Sequence, residues 1–326
     1  MTIDRRHLMT AAAAVGAMTA LPAARAGAQS PTPRPSQQAP AFQRRSVGDA
    51  TVTGLADGFL PLGPGAFPDV DEAAFIEAMR EAYLPADPSH VTAVNAYLVE
   101  VGGRTVLIDA GGSTALAPSL GNLLANLSAA GVEPGNVDAV LLTHMHPDHV
   151  GHLANDGVAT FPNAELVVHA AEVTFWRDPA TRSAMPEARR GMVDAANAAI
   201  APYEDRTTLF EGDVEVLAGI AARHLPGHTP GHTGYRVGSG DDTLLIWGDI
   251  VHVAPVQLPQ PTRAIGFDVD PEQAVATRQR LLDEVTSDRT LIAGMHLSFP
   301  GFGHIMPVGQ ADNAYAFIPT RWEYNI

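Results

Sequence analysis

The chain has 326 residues, of which 46% are hydrophobic and 17% charged, with no cysteine and, because every one of its 20 Lys/Arg residues is arginine, no lysine. These absences exclude thiolate and Schiff-base catalysis and leave core burial, not disulfides, as the source of stability. A formal charge of -16 repels phosphate backbones and anionic headgroups, which argues against nucleic acid and membrane as partners and favours small neutral ones.

Asp4-Arg5-Arg6-His7-Leu8-Met9 is a twin-arginine pattern, followed by an apolar run from Leu8 to Leu21 and by small-residue sites at Ala24-Arg25-Ala26 and Ala26-Gly27-Ala28. The run is too short to span a bilayer and ends in a cleavage-like site. Residues 1–28 are therefore expected to be a twin-arginine export signal, and the protein periplasmic or secreted. Residues 29–45, rich in Pro, Gln and Ser, read as a flexible linker, and 46–326 as one folded domain.

Within that domain, β-rich apolar runs predict strands at Thr51 to Leu55, Ala93 to Val101, Thr105 to Ile108, Ala139 to Leu142, Glu165 to Val168, Val214 to Leu217, Gly234 to Val237, Thr243 to Trp247 and Thr290 to Ile292. Helical patterns fit Asp71 to Tyr83, Ser119 to Ala130, Ala170 to Arg177, Pro186 to Ile200 and Pro271 to Val285. Asp270-Pro271-Glu272-Gln273 is a strong start signal, with a capping acid and proline in the first turn. The alternation gives an α/β fold with two sheets flanked by helices.

Four segments carry chemistry. Thr143-His144-Met145-His146-Pro147-Asp148-His149 sets three imidazoles and a carboxylate directly after an apolar run. Imidazole suits zinc and related first-row ions, and a carboxylate adds charge neutralisation. Pro226-Gly227-His228-Thr229-Pro230-Gly231-His232, Trp247-Gly248-Asp249 and Ala293-Gly294-Met295-His296 repeat the theme of a strand whose end delivers a ligand into a loop. Asp57 and Asp109, each in a turn, are expected to support strand ends and outer hydrogen bonds.

The pattern His144-x-His146-x-Asp148-His149, with His228, Asp249 and His296 following in order, resembles the metallo-β-lactamase superfamily over roughly residues 48 to 318. The segment from Ala293 to His304 is similar to methyl parathion hydrolases and the related dihydrocoumarin-hydrolysing lactonases and aryl esterases. The resemblance implies a four-layer αββα sandwich with the metals at one edge of the sheets. It implies one metal held by His144, His146 and His228, a second by Asp148, His149 and His296, and Asp249 as the bridge. It implies a metal-bridging hydroxide that attacks a lactone or aryl ester carbonyl, with organophosphate triesters as side or main substrates. Two divalent ions are expected, zinc foremost, with manganese, cobalt and iron also accepted by this donor set. Asp148 and Asp249 would be the catalytic carboxylates, and the family's dimers leave a homodimer open.

The family's ligand is the first histidine of the Pro-Gly-His-Thr-Pro-Gly-His pattern, so His232, like His152, His169, His224 and His304, is assigned a structural or orienting role. His252, three positions beyond Asp249, matches the place where some lactonases of the superfamily carry a tyrosine that touches the substrate oxygen. It is the expected catalytic addition, polarising that oxygen or protonating the leaving alkoxide. Trp176, Met192, Leu258, Ile265, Phe267 and Phe299 are the expected pocket lining, Trp176 matching an aromatic at the pocket entrance of methyl parathion hydrolases. This chain has Leu116 and Met192 or Val193 where those enzymes place further aromatics, and His252 and Phe267 where they have smaller groups. Those departures favour a flat aryl ester or lactone. A glyoxalase-II-like thioesterase, a β-lactamase and a flavodiiron-type oxidoreductase fit less well, and a non-catalytic metal-binding protein is the reading from another class.

Overall fold

The computed structural model describes residues 38–240, 242–309 and 314–324. The expected export signal lies outside the described residues, as do residues 29–37 of the expected linker. The rest of that linker is ordered further than its composition suggests, because Phe42–Arg45 already form strand pairs with Thr53–Leu55 and Val52.

Among the described residues, two seven-stranded sheets carry the fold. The first joins β1 (Phe42–Val47), β2 (Ala50–Leu62), β3 (His90–Val101), β4 (Arg104–Ile108) and β5 (Ala139–Leu141). A separate short hairpin, β6 (Ala154–Asn155) and β7 (Val158–Ala159), precedes its last strands, β8 (Glu165–His169) and β9 (Thr207–Phe210). The second runs in chain order through β10 (Val214–Leu217), β11 (Ile220–His224), β12 (Thr233–Ser239), β13 (Asp242–Ile246), β14 (Leu291–Ala293), β15 (Phe302–Pro307) and β16 (Tyr315–Pro319). Pairing is antiparallel from β1 to β4 and parallel from β4 through β5 and β8 to β9. In the second sheet only β13 and β14 pair in parallel.

The helices are α1 (Glu72–Glu81), α2 (Leu123–Ala129), α3 (Pro147–Val150), α4 (Ala170–Arg177), α5 (Pro179–Ala184), α6 (Arg190–Ile200), α7 (Ala254–Gln257) and α8 (Pro271–Ser287). Asp270 caps α8 as its sequence suggests, accepting from Gln273 N at 3.0 Å. The helix expected from Ser119 begins only at Leu123, because Gly121 sits at φ 102° and its N–H turns to Asp57.

Successive residues of a strand face opposite sides of its sheet, so central strands that are buried throughout must feed two cores. Tyr97, Val99, Val106, Ile108 and Leu141 pack between the sheets against Ile220, Tyr235, Val237, Leu244 and Ile246. Their neighbours Ala96, Leu98, Leu107 and Val140 face outward to meet Leu123 and Leu127 of α2 and Ala196 and Ile200 of α6. Across the molecule, Leu245 and Ile292 pack on Leu281, Leu282 and Val285 of α8. Helix, sheet, sheet, helix is the αββα order, as the resemblance implied.

Candidate metal centre

The ligand segments all leave strand ends. β5 runs into Thr143 and His144, β13 into Gly248 and Asp249, β14 into Gly294 and His296, and the β11–β12 connection holds His228. Because β13 and β14 are parallel neighbours, with Ile246 opposite Ala293, they deliver Asp249 and His296 to the same edge. The first sheet supplies the other half, with β4 leading into Asp109, whose φ of 60° turns its buried carboxylate back under the loop. That carboxylate accepts from Thr143 N, Thr143 Oγ1 and His149 Nδ1, each at 2.7 Å.

The seven side chains implied by the resemblance converge. His144, His146, His228 and Asp249 form one group, and Asp148, His149 and His296 another, with the ligand atoms inside each group within 4.8 Å of one another. His146 Nδ1 lies 2.9 Å from both His144 Nε2 and His228 Nε2. Asp249 Oδ2 sits between the halves, 3.4 Å from His228 Nε2, 3.3 Å from His149 Nε2 and 3.1 Å from His296 Nε2. Asp148 Oδ2 lies 3.5 Å from His296 Nε2.

The outer hydrogen bonds decide what these atoms offer. Thr143 Oγ1 gives its proton to Asp109, so it accepts from His144 Nδ1 at 3.1 Å. His149 Nδ1 donates to Asp109, His228 Nδ1 to Asp268 Oδ1 at 2.8 Å, and His296 Nδ1 to Ala93 O at 2.8 Å. With those protons fixed on Nδ1, four Nε2 lone pairs and the oxygens of two carboxylates point at one another. Such a set repels itself unless positive charge stands in the middle. His149 Nε2 and Asp249 Oδ1 are buried without a hydrogen-bond partner, so the residues present fit a pair of divalent cations.

The electrostatics show the same demand for charge. Burial alone would lower the pKa of His149, but Asp249, Asp148 and Asp109 outweigh it and hold the pKa well above the ordinary value. Burial likewise opposes protonation of His228, yet Asp249 and Asp268 push it up to about 9. His144 and His146 go the other way, lowered by burial and by neighbouring histidines. Where no cation neutralises the carboxylates, protons are drawn in to do so.

His252 stands in this cluster, with Nε2 3.2 Å from Asp249 Oδ2 and its ring stacked on His296 at 5.1 Å. Burial lowers its pKa to about 4, and its Nδ1 has no partner. His232 takes the orienting role expected of it, donating from Nδ1 to Leu225 O and accepting at Nε2 from Asp249 N at 2.9 Å. His152 bonds Asp57, whose carboxylate also holds Gly112 N and Leu123 N.

The expected pocket lining divides. Trp176 is fully buried, gives its Nε1 proton to Glu172, and meets the His146 ring edge-on at 5.4 Å. It is turned inward because a helix that covers a sheet directs its large aromatic toward that sheet. Leu258 is core against α8, and Ile265 is core with Val253 and Val256. Phe267 is half-buried against that cluster with Arg189 over its ring, Met192 is half-buried on α6, and Phe299 is 36% exposed. Of the six, Phe267, Met192 and Phe299 are the side chains with surface to offer a ligand.

Three supporting residues went unread in the sequence. Asp268 holds His228, Arg278 is buried beside Asp268 and donates to the carbonyls of Ile250, Pro261 and Arg263, and Glu172 binds two ligand loops. Asp268 sits one residue from Phe267 and Glu172 four before Trp176, but an acid beside an aromatic looks the same whether it faces solvent or a metal.

The model of the metallo-beta-lactamase superfamily matches residues 90–296. The chain belongs to that superfamily. It is similar to the solved hydrolase AbOPH of the beta lactamase superfamily, with 35% identity, a TM-score of 0.81, and coverage of 88% of this chain and 100% of that one. The fold of AidC, a dizinc quorum-quenching lactonase solved with the product N-hexnoyl-L-homoserine, is shared at a TM-score of 0.80 and 22% identity, over 87% of this chain and 98% of AidC. Among curated relatives, the N-acyl homoserine lactonase AiiA of Bacillus thuringiensis subsp. kurstaki is 24% identical over 166 residues, 51% of this chain and 58% of the lactonase. This metallo-beta-lactamase chain therefore spans a little over half the length of the Bacillus lactonases it matches.

Proposed function

We propose that the protein is a metal-dependent hydrolase that opens a lactone or cleaves an aryl ester. The observation that carries this reading is the convergence of seven ligand side chains, with outer bonds on His144, His149, His228 and His296 that turn their Nε2 lone pairs inward. His144, His146 and His228 would hold one cation, Asp148, His149 and His296 the other, and Asp249 would reach both. Zinc is the proposed metal, in line with the dizinc AidC. Divalent cations bound there supply Lewis acidity toward a carbonyl oxygen and lower the pKa of water.

The chain's own contribution is placement. Asp109, Asp268 and Ala93 O fix the ring orientation of three histidines, and His232 fixes the backbone that carries Asp249. Asp148, with 14% of its side chain exposed, is more open to solvent than the ligands behind it. Phe267, half-buried against the core of Val253, Val256 and Ile265, offers an aromatic surface, which suits a flat neutral substrate. His252, with Nε2 3.2 Å from Asp249 Oδ2, is the side chain we assign to the substrate's ring or leaving oxygen. Lactonase relatives support the carbonyl substrate, and the twin-arginine pattern supports export to the periplasm or beyond.

The test is turnover of metal-reconstituted protein on dihydrocoumarin, an N-acyl homoserine lactone, p-nitrophenyl esters and methyl parathion. Lactone or aryl ester turnover that disappears on chelation and returns with Zn2+ is the expected result. Phosphotriester turnover far above both would overturn the substrate assignment, and bound metal without any turnover would leave a binding protein. His252→Leu is expected to lower lactone turnover by roughly 10²-fold or more; an unchanged rate would remove His252 from the catalytic set.

A further inference from the structure

Three of the ligand histidines have an outer carboxylate or carbonyl partner on their own ring, but His146 has none, and the half of the centre it belongs to is supported differently. Glu172, in the first turn of α4, is completely buried. Its Oε2 accepts from Met145 N at 3.1 Å and from Trp176 Nε1 at 2.8 Å, and its Oε1 from Gly231 N at 2.9 Å. Three N–H donors on two oxygens is the arrangement of a carboxylate, which has only acceptors to offer.

The donors are not arbitrary. Met145 lies between the ligands His144 and His146. Gly231 follows His228 by three residues and precedes His232, the residue that holds Asp249 N. Trp176 presents its ring edge to His146. Contact here is close enough that a Cβ on Gly231 would stand 2.6 Å from Glu172 N. One side chain thus ties together two ligand loops, one leaving each sheet.

We propose that Glu172 is a positioning residue for the half-site of His144, His146 and His228, setting how tightly that half binds its cation. This rests on the metal-dependent function proposed above. Glu172→Gln keeps the shape but turns one acceptor into a donor facing another N–H, so it frees either the Met145 or the Gly231 loop. Its loops keep their ligands but lose their spacing.

Zn2+ affinity and stoichiometry are measured by chelator competition on wild type, Glu172→Gln and Glu172→Asp, together with the visible absorption of the Co2+-loaded proteins. We expect Glu172→Gln to weaken one of two ions by about 10- to 100-fold, to leave the other near wild type, and to change the Co2+ spectrum. Glu172→Asp retains charge but not reach and should fall between, which also decides the matter if the glutamine variant does not fold. Variants that bind both ions with wild-type affinity and spectrum, even with a lowered melting temperature, would overturn the positioning role. Wild-type protein that binds two Zn2+ yet hydrolyses neither lactone nor ester would instead sink the proposed function alone.

Discussion

Asp268→Asn is the substitution that most directly tests whether outer carboxylates tune this centre. In the wild type, Asp268 Oδ1 accepts from His228 Nδ1 at 2.8 Å, Oδ2 accepts from Ile265 N at 3.1 Å, and Arg278 lies 3.8 Å away. Burial pushes the carboxyl pKa up, but His228, His252 and Arg278 outweigh it and hold the pKa below the ordinary value. An asparagine has one acceptor and must set its amide hydrogens against either His228 Nδ1–H or the Ile265 N–H and the Arg278 guanidinium. Losing an outer partner of a ligating histidine costs about 10- to 100-fold in metal affinity, or roughly 1.4 to 2.7 kcal/mol. The metal-free protein should lose a further ~1.5 to 3 kcal/mol of stability, the contribution of a hydrogen bond to a charged group. Zn2+ competition titrations read the first quantity and urea melts of chelated protein the second. A folded Asp268→Asn protein that binds Zn2+ within twofold of wild type would refute the reasoning.

The protons that gather in the metal-free centre give a second prediction. His228 is raised to about 9 from 6.5, so its contribution to stability is fully present below pH 6.5 and is lost as pH rises through 9. Chelated protein should therefore melt at a lower temperature at pH 9 than at pH 6.5, and a melting temperature that stays level or rises would contradict it. In Zn2+-loaded protein the histidines are held neutral and this decline should vanish. Gly248 has φ 65°, and a Cβ there would stand 2.3 Å from His232 Nε2. Gly248→Ala should cost about 1 to 3 kcal/mol in strain and displace the support of Asp249, seen as a lowered urea midpoint and weaker Zn2+ binding; a wild-type midpoint would exclude it.

The sequence exposed those parts of the fold that local physics dictates. Ala170–Arg177 and the Asp270 cap of α8 stand where the pattern puts them, since capping and helical period are written in adjacent residues. β11, β15 and β16 were not foreseen: Arg223, His224, His304 and the prolines at 307 and 319 interrupt any apolar alternation, and these segments are strands because neighbours pair with them. The ligands were legible because metal chemistry concentrates rare residues at strand ends. Their supports were not, because Asp268 and Glu172 acquire meaning only from partners 40 and 59 residues away. The full burial of Trp176 was not legible for a related reason: aromatic character does not tell which side of a helix the sheet will take.

The centre draws on both sheets, with His144 to His149 following β5 of one and Asp249 and His296 following β13 and β14 of the other. Cations caught there would act as rivets across the seam, closing a covalently open chain between residues 144 and 296 in a protein without a single sulfur crosslink. Resistance to unfolding and catalytic competence would then share one fastening, and stripping the metal would loosen the sandwich at its working edge.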